Sequence, residues 1–379
     1  MRMALYTNTI SPHQLPLAKE FARQAGEGNF RYVYTEVMDE DHGALGWALD
    51  VPDWCVHAGD DAAREWLEDA EVMLSGLRCF DLFERRAKKG LKNFYMTERW
   101  FKPPLSVWRL LHPKYFGYAR RLCRLLESGA VVGLPIGIHA ARDMARLCGL
   151  LHGDLSCLFR APRLDFERMP LGRIRLKDGG NAKKYCLDKM RMWGYFVEKG
   201  RGKSEERRDE SQTRVLWVGR MLGLKRVDTI IRAVGEVIAR STCSGRLNIA
   251  LDIYGSGPEE KRLKKFAAKY GDLIKFYPPV PIEQVRKLMR EHDVYVLASN
   301  AYEGWGAVVS EALEEGMKVI GTYEAGSSAT ILPEKCLFHA GDWRRLMRIL
   351  LDNHIPKIGI EPWSATNAAS ALMSFAFPT

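Results

Sequence analysis

At 379 residues, with 46% hydrophobic and 27% charged side chains, the chain has the ordinary composition of a soluble globular protein and the length for two domains with full cores. A formal net charge of +10 and a pI near 9.1 imply an acidic partner, for which phosphorylated ligands, anionic lipid headgroups and nucleic acid all qualify. In chain order, Met3 to Thr9 reads as a strand and Pro12 to Gln24 as a helix after a Ser11-Pro12 start signal. Val72 to Ser75 and Asn93 to Thr97 read as short strands, and Val131 to Ile136 leads into a helix from His139 to Leu151.

Alternation is clearer in the second half. Strands are expected at 214–219, 247–254, 275–277, 294–298 and 318–321, and helices at 227–240, 259–270, 282–291, 306–316 and 342–351. Strands and helices alternating at this spacing form βα units around a parallel sheet covered on both faces. Between the halves, Glu198 to Gln212 is almost purely polar with two glycines, the best boundary in the chain. The division is an N-terminal domain over 1–197, a linker over 198–213, a C-terminal domain over 214–360, and a final segment over 361–379 with a short helical pattern after Ser364.

Eight cysteines are scattered with no Cys-x-x-Cys pair and no nearby paired histidines, which argues against a zinc site or a disulfide scaffold and favours a reducing cytoplasm. The N-terminal apolar run is too short for a signal peptide, and no stretch has the length of a membrane span, so any membrane contact is expected to be peripheral.

Open parallel sheets bind ligands at the carboxyl ends of their strands, which directs attention to four loops of the second half. After Gly219 come Arg220 and Lys225, a guanidinium and an ammonium able to neutralise a diphosphate. After Tyr254 comes Gly255-Ser256-Gly257-Pro258, a turn that lets backbone approach a ligand, or a plain strand-to-helix connection. After Tyr277, Pro278 to Pro281 with Val280 is a stiff apolar wall for a nucleobase, or a stiff linker. After Ala298 comes Tyr302-Glu-Gly-Trp-Gly-Ala-Val-Val-Ser-Glu-Ala312. Its two carboxylates, Glu303 and Glu311, bracket Gly304, Trp305 and Gly306 and the first-turn amides of Ala307, Val308 and Val309. That suits a molecule with hydroxyls at both ends and phosphate between, although an amphipathic surface helix has the same pattern. The Gly-x-Gly at 255–257 is not a dinucleotide fingerprint, because Glu260 stands where the third glycine belongs.

Taken together, residues 214 to about 351 resemble the donor-binding domain of glycosyltransferase family 4, also described as glycosyl transferases group 1: retaining enzymes of the GT-B fold. The resemblance rests on Gly219-Arg220 with Lys225, the Gly255-Ser-Gly-Pro258 turn, and Glu303 and Glu311 in one motif with Gly304 and Gly306 inside it. It implies an α/β protein with two Rossmann-like doubly wound parallel-sheet domains facing a central cleft. Arg220 and Lys225 would then hold the donor diphosphate, Glu303 the transferred sugar and Glu311 the ribose, with amides near Ala307 to Val309 completing the phosphate site. It also implies no cofactor and no metal, in keeping with the lack of an Asp-x-Asp in this half, and a same-face substitution without a protein nucleophile.

The family often places a histidine at the end of an N-domain strand; here the candidate strand ends Met96-Thr97-Glu98-Arg99, a departure. Glu98 is a candidate to orient donor or acceptor, against a strand-end ion pair with Arg99. His139 and His13 are further candidates at the same edge, against structural or surface roles. From Glu84 to Leu125 twelve Lys or Arg face two acidic residues, interleaved with Phe94, Tyr95, Trp100, Phe101, Trp108, Tyr115, Phe116 and Tyr118. This suits an anionic membrane or lipid-diphosphate acceptor, single-stranded nucleic acid, or an aromatic core beneath a basic face, and the resemblance ranks the membrane above nucleic acid. The expectation is a transferase moving a sugar from a nucleotide sugar to a glycan or lipid-linked acceptor in cell-envelope polysaccharide synthesis. It would be cytoplasmic, with a place on the inner face of the membrane left open. A non-catalytic nucleotide-sugar-binding protein and a single-stranded nucleic-acid-binding protein are the alternatives.

Overall fold

The computed structural model describes residues 1–36, 51–200, 212–244, 248–352 and 354–377. It divides into two compact units, Met1–Glu198 with Glu361–Thr379, and Lys199–Ile360. Most of the expected linker, 201–211, lies outside the described residues.

The first unit holds a six-stranded sheet of β1 (Met3–Thr7), β2 (Phe30–Tyr34), β3 (Cys55–His57), β4 (Val72–Ser75), β5 (Lys92–Thr97) and β6 (Val132–Pro135), in the order β3-β2-β1-β4-β5-β6. Every pairing is parallel. Met3, Ala4 and Leu5 are all fully buried, the unbroken apolar run required of a strand covered on both faces. β2, β3 and the helices Asp61–Asp69, Phe80–Lys88 and Pro113–Glu127 are additions to the sequence-based expectation.

The first helix runs Leu15–Ala25, not from Pro12. The Ser11 carbonyl accepts from both Gln14 N and Leu15 N at 2.9 Å, so a turn closes first, and Pro16 takes the first-turn place where a missing N–H costs nothing. A short antiparallel hairpin, β7 (Leu164–Phe166) and β8 (Ile174–Leu176), lies outside the main sheet. Helix Ala365–Ala376 belongs to this unit: the Ser370 hydroxyl meets Gln24 Oε1 at 3.3 Å, and Ser364 caps it by accepting from Asn367 N at 3.2 Å.

Beneath the first sheet, Arg86 is wholly buried and, among the described residues, has no carboxylate hydrogen bond. It donates to the carbonyls of Leu67 (2.5 Å) and Ala70 (2.7 Å) and to Asn93 Oδ1 (2.8 Å), and burial pulls its pKa down to about 10.

The second unit repeats the plan with β9 (Thr213–Val218), β10 (Ile249–Tyr254), β11 (Ile274–Tyr277), β12 (Val294–Leu297), β13 (Lys318–Thr322) and β14 (Leu337–Phe338), ordered β11-β10-β9-β12-β13-β14 and parallel throughout. Its helices include Val227–Ser244, Glu260–Ala267, Ile282–Glu291, Val308–Glu314, Gly326–Ile331 and Trp343–Asp352. The strand order reverses between β9 and β12, and the loops leaving their carboxyl ends open a crevice at such a point. Among the described residues no helix is long and apolar enough to cross a membrane.

Candidate active site

The loop after β9 is fastened on both sides. On one side Gly219 N donates to Tyr254 O (3.0 Å), Met221 N to Ser256 O (2.8 Å) and Glu259 N to Met221 O (3.1 Å), carrying the pairing of β9 with β10 past the ends of the strands. On the other, Asn300 N from the loop after β12 donates to Leu224 O at 2.9 Å. Asn300 then organises its own loop: its side-chain oxygen accepts from Tyr302 N (3.1 Å) and its carbonyl from Glu303 N (3.0 Å). The result brings Lys225 Nζ to 2.5 Å from Glu303 Oε2, at the switch point of the sheet. Both side chains are largely sequestered, 25% and 14% exposed, while Arg220 on the same loop is exposed.

Glu311 lies within helix Val308–Glu314, whose N-cap is Ala307. Burial pushes its carboxyl above the ordinary range; Glu315 adds to that and Arg286 opposes it. Wholly buried Tyr295, on β12, is raised mainly by burial, with the negative fields of Glu311 and Glu303 adding to it. Both carboxylates thus act on one point at the end of the central strand.

Two features add to the sequence-based expectation. Gly255 (φ +142°) and Gly257 (φ +152°) are demanded by neighbouring backbone: a Cβ at Gly255 would stand 1.9 Å from Gly219 O, and one at Gly257 2.7 Å from Met221 O. Ser256, between them, is exposed, and Val280 is half-buried among exposed prolines, of which Pro281 caps helix Ile282–Glu291. The second feature is a fifth loop, after β13, that sequence reasoning missed. Gly326 N donates to Gly304 O (3.2 Å), Ser327 N to Trp305 O (2.9 Å) and the Ser327 hydroxyl to Gly306 O (2.8 Å), so the Gly304–Gly306 turn is held by three bonds from one helix start. A Cβ at Gly326 would stand 2.5 Å from Gly304 O. The Gly-Ser-Ser at 326–328, directly after an apolar strand, is the signal that could have found it.

At the outer strands of this edge Tyr254 and Tyr277 stack, ring centroids 4.5 Å apart and 12° from parallel. Beneath them Asp252 accepts from Arg214 (2.7 Å) and meets His292 Nε2 at 2.9 Å. Although burial opposes it, these two partners hold the Asp252 carboxyl below its ordinary range.

In the first unit Glu98 and Arg99, weighed as a strand-end pair, are each seen with other partners. Glu98 pairs with Lys102 (2.7 Å) and accepts from the Tyr195 hydroxyl (3.1 Å), whereas Arg99 reaches buried Asp143 at 3.4 Å. Neighbouring residues leave a strand end in opposite directions, which separates the two side chains. His13, whose pKa burial lowers, has its ring 6.5 Å from that of Tyr195. His139 lies in the first turn of helix Gly137–Leu151, half-buried. The basic, aromatic stretch divides: Phe94, Tyr95, Trp100 and Phe101 are core, whereas Leu105, Trp108, Leu111 and Phe116 are exposed large apolar side chains. A cavity of about 850 Å³ opens where β5 and β6 begin, at the opposite edge from Glu98.

Two six-stranded parallel α/β units, each with its strand order reversing beside its first strand, are the GT-B architecture. Residues 199–352, most of the second unit, match the family described as Glycosyl transferases group 1. A D-inositol 3-phosphate glycosyltransferase of Streptomyces griseus is 33% identical over 119 residues, 29% of this chain and 25% of that protein. The chain thus spans about a quarter of the length of that relative. Among solved structures, the apo form of lipopolysaccharide outer core galactosyltransferase WaaB superposes with a TM-score of 0.61 at 13% identity, covering 100% of this chain and 99% of that one. Anabaena Alr3699/HepE in complex with UDP gives a TM-score of 0.55 at 12% identity, covering 100% and 96%.

Proposed function

We propose that the chain is a retaining, metal-independent glycosyltransferase that moves a sugar from a nucleotide-diphosphate donor to a glycan or lipid-linked acceptor in cell-envelope polysaccharide synthesis. The observation that carries this is the Lys225–Glu303 pair at the β9/β12 switch point, flanked by Arg220. Without a donor the ammonium and the carboxylate satisfy each other. When a donor enters, its diphosphate takes Lys225 and Arg220, and Glu303 turns to the sugar hydroxyls. Charge that grows on the leaving diphosphate is then met by two fixed cations, and a preorganised group of this kind contributes about 10²–10³ in rate. Glu311 accepts from the ribose hydroxyls, with the amides of Ala307 to Val309 and the turn Gly304-Trp305-Gly306 closing on the phosphates. The acceptor oxygen bonds to the anomeric carbon on the face the diphosphate leaves, and its proton passes to the leaving phosphate oxygen.

The first unit is assigned the acceptor, with Glu98, held by Lys102 and Tyr195, as the group that orients it, and His13 and His139 at the same edge. The exposed apolar cluster Leu105, Trp108, Leu111 and Phe116, among Lys102, Arg109, Lys114 and Arg120, supports an acceptor presented at an anionic membrane surface. A relative described as a galactosyltransferase of lipopolysaccharide outer core, and one bound to UDP, agree with this reading.

Thermal shift against UDP-, GDP- and ADP-sugars and the free nucleotides tests the donor, and nucleotide release tests turnover. One nucleotide series should stabilise the protein, and release should vanish in Glu303→Ala and Lys225→Ala. Stabilisation without release, with or without acceptor, makes it a binding protein; indifference to every nucleotide removes the proposal.

A further inference from the structure

Spacing in the sequence separates the cysteines, but the fold gathers two of them with a glutamate and a histidine. Cys123 and Glu127 lie one turn apart on helix Pro113–Glu127, Cys148 and His152 lie one turn apart at the end of helix Gly137–Leu151, and Cys186 ends the Ala182–Tyr185 turn. The donor atoms of Cys123, Glu127, His152 and Cys186 all lie within 4.8 Å of one another. Cys148, one turn from His152, is fully buried. All three thiols are free.

We infer that Cys123, Glu127, His152 and Cys186 form a site of two thiolates, one imidazole and one carboxylate for a soft divalent cation of the zinc class. Thiolate and imidazole select such a cation over magnesium or calcium, which take oxygen. Donors about 2.3 Å from a tetrahedral ion stand about 3.8 Å apart, so the cluster needs only a small contraction to close on one. His152 is already oriented for it. Its Nδ1 donates to the Lys184 carbonyl at 2.7 Å, which leaves Nε2 as the ligating atom and fixes the ring as an outer-sphere bond does in metal sites. Nε2 now meets the Glu127 carboxylate, which also accepts from the Cys123 thiol at 3.5 Å. Glu127 stands at the rim, its side chain 44% exposed, and completes the set as the fourth ligand once the metal takes the place of the protons it now accepts.

Backbone features supply an independent reason to see a built site. Cys186 adopts a left-handed conformation, φ 52°, unfavourable for a residue with a side chain unless its surroundings hold it there. Gly149 lets the segment in: a Cβ there would stand 2.8 Å from the Tyr185 ring and 2.9 Å from Cys157 Sγ. A metal would bind two long helices and the 182–186 turn at one point. All four residues belong to the first unit and none to the loops assigned to the donor, so the role is structural and its test is independent of the glycosyltransferase proposal.

The full chain, expressed with zinc in the medium and purified without chelator, should carry one zinc per chain by elemental mass spectrometry. Stripping it with a chelator should lower Tm, and cobalt added to the stripped protein should give the visible bands of tetrahedral thiolate coordination. Cys123→Ser, Cys186→Ser, His152→Ala and Glu127→Ala should each lose the metal, whereas Cys79→Ser and Cys148→Ser should keep it. If a variant fails to fold, metal-coupled loss of free thiols settles the matter in the natural chain: adding zinc to the stripped protein should shield Cys123 and Cys186 from alkylation. No bound metal and no cobalt spectrum would overturn the site. So would a disulfide among these cysteines in the non-reduced protein, and metal lost in Cys148→Ser but kept in Glu127→Ala would overturn the ligand set.

Discussion

Lys225→Met separates the two jobs of the switch-point ion pair. Lys225 Nζ and Glu303 Oε2 are 2.5 Å apart and their side chains 25% and 14% exposed, between a surface pair and a buried one. Exposed pairs contribute about 0.2–1 kcal/mol, and removing one partner of a buried pair costs about 3–5 kcal/mol. Intermediate burial sets the cost of Lys225→Met at about 1–2 kcal/mol, most of it from the carboxylate left behind, or about 3–6 °C in Tm for a unit of this size. Adding Glu303→Gln removes that stranded charge, so the double variant should recover about 1 kcal/mol relative to the sum of the singles. Turnover should behave oppositely. Each single variant should lose about 10²–10³ in kcat, and the double variant should recover none of it, since the diphosphate and the sugar have each lost a partner. Urea denaturation and nucleotide release on the four proteins measure both cycles. A double variant that regains activity along with stability would show that the pair only braces the loops, and the assignment of Lys225 and Glu303 to chemistry would fall.

Glu311 should trade stability for affinity. Its carboxyl is raised by burial, so the folded state binds more protons than the unfolded one, and stability is lost as pH rises from about 4.3 through the folded value. Glu311→Gln is expected to raise Tm at pH 7, to change it little at pH 4, and to weaken nucleotide binding about tenfold or more in calorimetry, through the lost charged hydrogen bonds. Asp252 runs the other way: its depressed carboxyl stabilises the fold above about 3.9 and ceases to as pH falls through its folded value, so Asp252→Asn should flatten the acid limb of the stability curve. Gly255→Ala should cost about 3 kcal/mol in urea denaturation, because a Cβ 1.9 Å from Gly219 O forces the β9 and β10 loops apart. Arg86→Met should cost about 2–4 kcal/mol by leaving the carbonyls of Leu67 and Ala70 without a donor.

The second unit was legible because its strands are buried runs of β-branched and aliphatic residues and its helices carry clear apolar faces. Ile282–Glu291 matches expectation to the residue, as does Val72–Ser75 in the first unit. β2 was passed over because Phe30-Arg-Tyr-Val-Tyr34 is short and interrupted by Arg31, whose guanidinium lies 4.9 Å from the Trp66 ring, a contact no local pattern reveals. Glu98 was recognisable as a candidate, but not its partners, since Tyr195 is 97 residues away. The glycines of the 255–258 turn were seen and their reason was not: the crowding atom belongs to Gly219, on the neighbouring strand's loop. The cysteine cluster escaped for the same reason, its members coming from three segments whose separation matches no local metal-binding spacing.

The bonds on either side of the 219–225 loop have a consequence for anyone altering donor choice. Met221 is tied into the turn after β10, Leu224 into the loop after β12, and the latter is clasped in turn by the helix start after β13. Loops on α/β scaffolds usually tolerate insertion and exchange one at a time, but here a single residue added between Met221 and Lys225 would break register with both neighbours. The four connections form one inheritable cassette. Transplanting one segment from a relative with another sugar preference should yield insoluble protein, while moving all four together should carry the preference with them.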